Sequence, residues 1–115
     1  MNKNILVGDL LKNDNFRLVT TNGDLNRNIT DIYTSDLLSW VMGHIHEDGV
    51  ALLTVLNTVN LIAVATLLDL SVIILCEGVE PNADVIRKAE EEEITLMVSK
   101  ETTFHTAQMI VNLNK

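Results

Sequence analysis

The chain has 115 residues, enough for one domain around one core, and 47% of them are hydrophobic while only 3% are aromatic, so Leu, Ile, Val and Ala must build that core. It carries 16 carboxylates against 8 Lys and Arg, and residues 35–80 contain six acids and no Lys or Arg. Without clustered cations to displace counterions from phosphates, nucleic-acid binding is excluded, and binding to an anionic membrane surface is disfavoured on the same ground.

In chain order, residues 4–12 (NILVGDLLK) read as a short helix, with Ile5, Leu6, Leu10 and Val7 inward and Asp9 and Lys12 toward water. Phe16–Thr20 alternates like a strand, and Thr21-Asn22-Gly23-Asp24 signals a turn. Ile29–Tyr33 alternates as well. Both segments are expected at an edge of the sheet, where one wet face is tolerated. Ser35 is positioned to cap a helix over Asp36–Gly43, with Asp36 favoured by the helix dipole and Gly43 as the stop. Leu37, Leu38, Val41 and Met42 form its apolar stripe, and Trp40 falls off it.

The centre of the chain, 47–81, reads as a buried strand (Val50–Leu56), a nearly all-apolar helix (Asn57–Asp69), a second buried strand (Ser71–Cys76) and a Glu-Gly-Val-Glu-Pro turn. Two strands joined by such a helix are parallel neighbours linked by a right-handed crossover. Ala51–Cys76 is long enough to span a bilayer, but Asn57, Asn60 and Asp69 interrupt it, and a central Asp alone costs roughly 2.5–3.5 kcal/mol on insertion. Pro81-Asn82 opens a helix over Ala83–Glu93 with Val85, Ile86 and Ala89 inward and the run Glu90–Glu93 toward solvent. Ile94–Val98 is the last strand. Thr102 or Thr103 then caps a final helix whose inner side is Phe104, Ala107, Met109, Ile110 and Leu113. The fold class is α/β, a single-domain three-layer sandwich with a mainly parallel sheet flanked by helices.

In open sheets of this kind ligands sit beyond the carboxyl ends of the strands. Candidate binding residues are therefore Asn57, Thr58 and Asn60 after the first buried strand, Cys76, Glu77 and Gly78 after the second, and Thr103 and Phe104 after the last. The five glycines form neither GxxxxGK[ST] nor GxGxxG, which excludes P-loop ATP hydrolysis and disfavours a dinucleotide site. His44-x-His46 with Glu47 and Asp48 lacks an identifiable third donor, so no metal is assigned. Cys76 has an acid, Glu77, beside it instead of a cation or base, which favours core packing or pocket lining over nucleophilic chemistry. One cysteine excludes an internal disulfide, and MNKNILVGDLLKND lacks the apolar region and cleavage site of a secretory signal, so the expected compartment is the cytoplasm.

Tyr33-Thr34-Ser35-Asp36-Leu37-Leu38-Ser39, then Thr54 and Asn60, then Ala63-Val64-Ala65-Thr66-Leu67-Leu68-Asp69-Leu70 carry a family likeness. So do Gly78-Val79-Glu80-Pro81, Val85-Ile86-Arg87-Lys88-Ala89 and Ser99-Lys100-x-x-Thr103-Phe104. In this order and spacing, over about residues 16–113, the chain resembles the small stand-alone DRTGG-domain proteins. The same domain type accompanies phosphotransacetylases and CBS-containing pyrophosphatases and is similar to the N-terminal, non-kinase domain of HPr kinase/phosphorylase. Cys76-Glu77-Gly78 stands where the family motif ends in Thr-Gly-Gly, and the Asp-Arg half has no counterpart near Leu56–Thr58.

The resemblance implies a regulatory or assembly domain, not an enzyme, needing no cofactor. The leading expectation is a module that self-associates as a dimer, with room for a protein partner and for a small ligand at the strand ends. The alternatives are a small-molecule sensor, of adenine nucleotides for instance, as the primary role, and a thiol-dependent enzyme using Cys76.

Overall fold

The computed structural model describes residues 4–113. Its elements are a 3-10 helix (Val7–Lys12), β1 (Phe16–Leu18), β2 (Asp31–Thr34), α1 (Leu38–His44), β3 (Val50–Thr54), α2 (Val59–Leu68), β4 (Val72–Leu75), α3 (Ala83–Glu91), β5 (Leu96–Ser99) and α4 (Thr103–Leu113). The sheet order is β1-β5-β4-β3-β2, with β2, β3, β4 and β5 parallel and β1 antiparallel to β5. The expected parallel pair is present, Ala51 facing Val72 and Thr54 facing Leu75. Every residue of β3, β4 and β5 is buried, as continuous apolar strands covered on both faces must be.

Alternate residues of these strands feed two cores. Leu52, Ile73, Leu75 and Leu96 meet α1, α2 and α3 on one face. Leu53, Val72, Ile74 and Met97 meet the 3-10 helix and α4 on the other. Full burial of one such aliphatic side chain contributes about 1.5–3 kcal/mol. The result is the three-layer α/β sandwich expected from the sequence.

The two edge segments lie at opposite edges, so the turn at residues 21–24 does not close a hairpin between them. Glu90 holds that turn instead, accepting from Thr21 N–H at 2.9 Å, from the Thr21 hydroxyl at 3.0 Å and from Asn22 N–H at 3.0 Å. These donors, the Thr21 amide first, lower the Glu90 pKa. The first acid of the four-Glu run is thus a clasp, where the sequence suggested only a solvated face. The turn passes close to β5: a Cβ on Gly23 would stand 2.8 Å from Thr95 Cα, so only glycine fits.

Three helix expectations are corrected. First, α1 begins at Leu38 because the Asp36 carboxylate is drawn to the end of β3, accepting from Thr54 Oγ1 at 2.8 Å and Val55 N–H at 2.9 Å. Ser35 accepts from Leu37 N–H one step before the helix, and α1 continues through Gly43 to His44. Second, α4 turns Phe104 outward, 69% exposed, and buries Thr106 in its place. The Thr106 hydroxyl bonds to Ser99 Oγ at 2.7 Å, which satisfies the polar group and lets Thr106 and Ile110 form the inner face. Leu113 is also exposed. Third, α2 buries Leu61, Ile62, Val64 and Ala65 but exposes Val59, Ala63 and Leu67, so the apolar helix is covered on only one side. No helix among the described residues is long and apolar enough to cross a membrane.

Candidate functional site

The chain ends of β3, β4 and β5 lie side by side, and the connecting loops are stapled to one another. After β4 the backbone enters the left-handed region twice, at Glu77 (φ 60°) and Gly78 (φ 74°). This sharp reversal aims Glu77 N–H at Glu101 O, 2.8 Å, and Gly78 N–H at Ser99 O, 3.0 Å. A non-glycine residue pays about 1–2 kcal/mol for that conformation, which gives the glycine pair of the family motif a backbone reason and marks Glu77 as strained. The amides that a strand-end loop could offer an anion are engaged with carbonyls here.

Asn57 is likewise engaged. Its Nδ2 donates to Glu80 O at 2.9 Å, its Oδ1 accepts from Asn82 N–H at 3.0 Å, and its carbonyl accepts from Asn82 Nδ2 at 3.3 Å. Asn82 in turn caps α3 by accepting from Val85 N–H. Asn57 therefore ties the start of α2 to the loop that follows Gly78. Thr58 occupies the N-cap position of α2 without a side-chain bond. Asn60, the second residue of α2, lies in the groove between α1 and α2. Thr103 begins α4 beside Thr102, whose Oγ1 accepts from His105 N–H at 3.1 Å and supplies the cap. The structure thus gathers Asn57 with the loop after Gly78, and joins Cys76–Gly78 to the segment 99–101. Asn60 lies in the α1–α2 groove, and Phe104 is exposed at the start of α4, next to Thr103.

Cys76 is wholly buried, its N–H bonded to Thr54 O and its Sγ directed toward Ile74 O at 3.6 Å. Burial pushes the thiol up to about 11. His44 Nδ1 meets Trp40 O at 2.8 Å and its ring stacks on the Trp40 ring with centroids 3.9 Å apart. Among the described residues no three His, Cys, Asp or Glu side chains are grouped as metal ligands.

Two grooves flank this edge. One, of about 410 Å³, runs along the outer side of β1 and β5 and includes Gly78 and Glu80 with Arg17, Ser99 and Lys100. Asn15 frames it, its Oδ1 accepting from Lys100 N–H at 3.0 Å and its Nδ2 donating to Ser99 Oγ at 2.8 Å. Arg17 pairs with Glu80 across its mouth. Arg17, Lys100 and Asn15 escaped the sequence reading because nothing in the alternation of residues 16–20 says that this segment lies against β5. The other groove, about 370 Å³, lies between α1 and α2 and is lined by Leu38, Met42, Asn60, Ala63, Val64 and Leu67, with no charged side chain.

Comparison with known proteins agrees with this architecture. The sequence profile of the DRTGG domain matches residues 17–113. The chain belongs to the DRTGG-domain family. Among solved structures, this DRTGG domain is similar to the CBS and DRTGG domains of the regulatory region of Clostridium perfringens pyrophosphatase, crystallised with its activator diadenosine tetraphosphate. The TM-score is 0.65 at 15% identity, over 91% of this chain and 44% of that one, so the likeness is one of fold and the chain spans under half the length of that neighbour. No curated protein sequence matches the chain.

Proposed function

We propose that this DRTGG domain is a non-catalytic, cytoplasmic regulatory module that self-associates as a dimer through α1 and α2 and senses a small ligand near the strand ends. The observation that carries the reading is α2. A helix apolar on every side is normally covered on every side, yet α2 leaves Leu67 67% and Val59 41% exposed. Met42 of α1, 47% exposed, lines the groove with Leu67, and Leu37 and Trp40 of the same segment are also uncovered, at 60% and 53%. A second copy can supply the cover where local charge does not oppose it. Two chains of net charge −8 repel, and the groove between α1 and α2 has no carboxylate on its walls. The other large apolar residues that are exposed, Phe104, Val111 and Leu113 on α4, are interspersed with His105, Gln108 and Asn112.

Ligand sensing is supported by the fold shared with an activator-bound regulatory region. In this reading Asn57, Thr58, Cys76, Glu77, Gly78, Thr103 and Phe104 belong to the ligand edge, with Gly78 lining the open groove and Asn57 bonded to the Glu80 carbonyl, and Asn60 belongs to the subunit contact. The buried, high-pKa thiol of Cys76 supports a non-enzymatic role.

Sedimentation velocity at micromolar concentration tests the assembly. The wild type is expected to sediment as a dimer, and Leu67→Glu as a folded monomer with an unchanged far-UV CD spectrum, because Leu67 is exposed in the single chain. A monomeric wild type refutes the proposal, and so does a dimeric Leu67→Glu.

A further inference from the structure

Cations are scarce in this chain, and carboxylates hold nearly all of those described. Lys12 meets Asp9, Arg17 meets Glu80, Arg27 meets Asp69, Arg87 meets Asp84 and Lys88 meets Glu92. Lys100 is the one Lys or Arg among the described residues with no carboxylate oxygen within 4.0 Å of it, and it lines the 410 Å³ groove beside Arg17. Asn15 fixes the Lys100 backbone, and the register that places Arg17 opposite Val98 fixes the other cation. Apolar residues Leu11, Leu18 and Val98 line the groove as well, and Asp14 adds a second carboxylate, beside Glu80, to its wall.

We propose that this groove binds a small organic phosphate monoester, its anionic head between Arg17 and Lys100 and its apolar body against Leu11, Leu18 and Val98. Glu80 is the internal occupant of the head position. Its carboxylate already sits on the Arg17 guanidinium, showing that this donor set receives an oxyanion, but among the described contacts it does not reach Lys100. A dianion has an advantage over that tethered monoanion because it engages both cations at once and leaves Glu80 to water. The volume falls within the range of small-molecule sites.

Displacement of Glu80 has a route to α2. The Glu80 carbonyl accepts from Asn57 Nδ2, two residues before the helix that forms the proposed subunit contact. This link rests on the self-association reading above, whereas the binding site does not.

Calorimetric titration of the intact chain with phenyl phosphate at low salt tests the site. Saturable binding is expected, tighter than that of inorganic phosphate. Glu80→Gln should tighten it by up to about fivefold, the range of an exposed ion pair. Lys100→Gln and Arg17→Gln should each weaken it by about tenfold or more. All three side chains are exposed, so the variants are expected to fold. Absence of saturable binding in both wild type and Glu80→Gln overturns the proposal, as does undiminished affinity in Lys100→Gln. A chain that sediments as a monomer yet binds phenyl phosphate refutes the dimer and leaves this site intact.

Discussion

Replacing Thr20 with Val tests how the antiparallel edge of the sheet is fastened. The Thr20 side chain is 1% exposed. Its hydroxyl donates to Ile94 O and accepts from Leu96 N–H, both at 2.9 Å, extending the attachment of β1 to β5 beyond Leu18. Valine preserves the shape and removes both bonds. Ile94 and Leu96 are themselves buried, 8% and 0% exposed, so water cannot take the place of the hydroxyl. Each stranded backbone group costs about 1–3 kcal/mol, and the two together roughly 2–6 kcal/mol. That is a large part of a total stability of about 5–15 kcal/mol. Thr20→Ser keeps the oxygen and loses one methyl, at about 1 kcal/mol. Urea unfolding followed by far-UV CD measures both variants, and each kcal/mol should also lower the thermal midpoint by about 4 °C. If Val costs no more than Ser, the hydroxyl is not what fastens this edge.

Two further outcomes follow from the loop after β4. Glu77→Gly relieves the left-handed residue and, after the entropy cost of glycine, should raise stability by up to about 1 kcal/mol; a lower urea midpoint would show that the Glu77 side chain outweighs its backbone strain. For Cys76, the folded chain holds the thiol pKa near about 11 against an ordinary 9.0, so the neutral thiol is favoured by folding. That stabilising contribution is complete below about 9 and declines as pH rises toward about 11. The urea midpoint of the wild type relative to Cys76→Ala should fall over that interval, and a pH-independent difference contradicts the burial of this group.

The central β3–α2–β4 unit was legible because its apolar runs are unbroken where strands are covered on both faces and interrupted at Asn57 and Asp69. Asp69, left-handed at φ 53°, ends α2. The strand ends were read one or two residues too long, since Val55, Leu56 and Cys76 are apolar or buried without being paired in the sheet. Phe104 illustrates a different failure. Periodicity assigns the largest apolar side chain to the core, but a satisfied hydroxyl at Thr106 took the inner position. The Arg17–Lys100 groove was invisible for a topological reason: it exists only because the first strand lies antiparallel beside the last, and no local pattern encodes that pairing. Glu90 was hidden similarly, as one acid of four until the turn at residues 21–24 was seen to rest on it.

The placement of β1 also sets an order of assembly. Phe16–Leu18 is made before the other strands of the domain, yet its neighbour in the sheet is β5, so its ladder cannot close until the other four strands have been made. The intervening parallel strands can pair as they emerge, each one crossover after the last, whereas joining the two ends requires closure of the longest loop in the molecule. Until then the edge of β5 is unpaired, and the groove framed by Asn15 does not exist. A nascent DRTGG domain can thus acquire its β3–β4 centre well before it acquires the groove that holds Arg17 and Lys100.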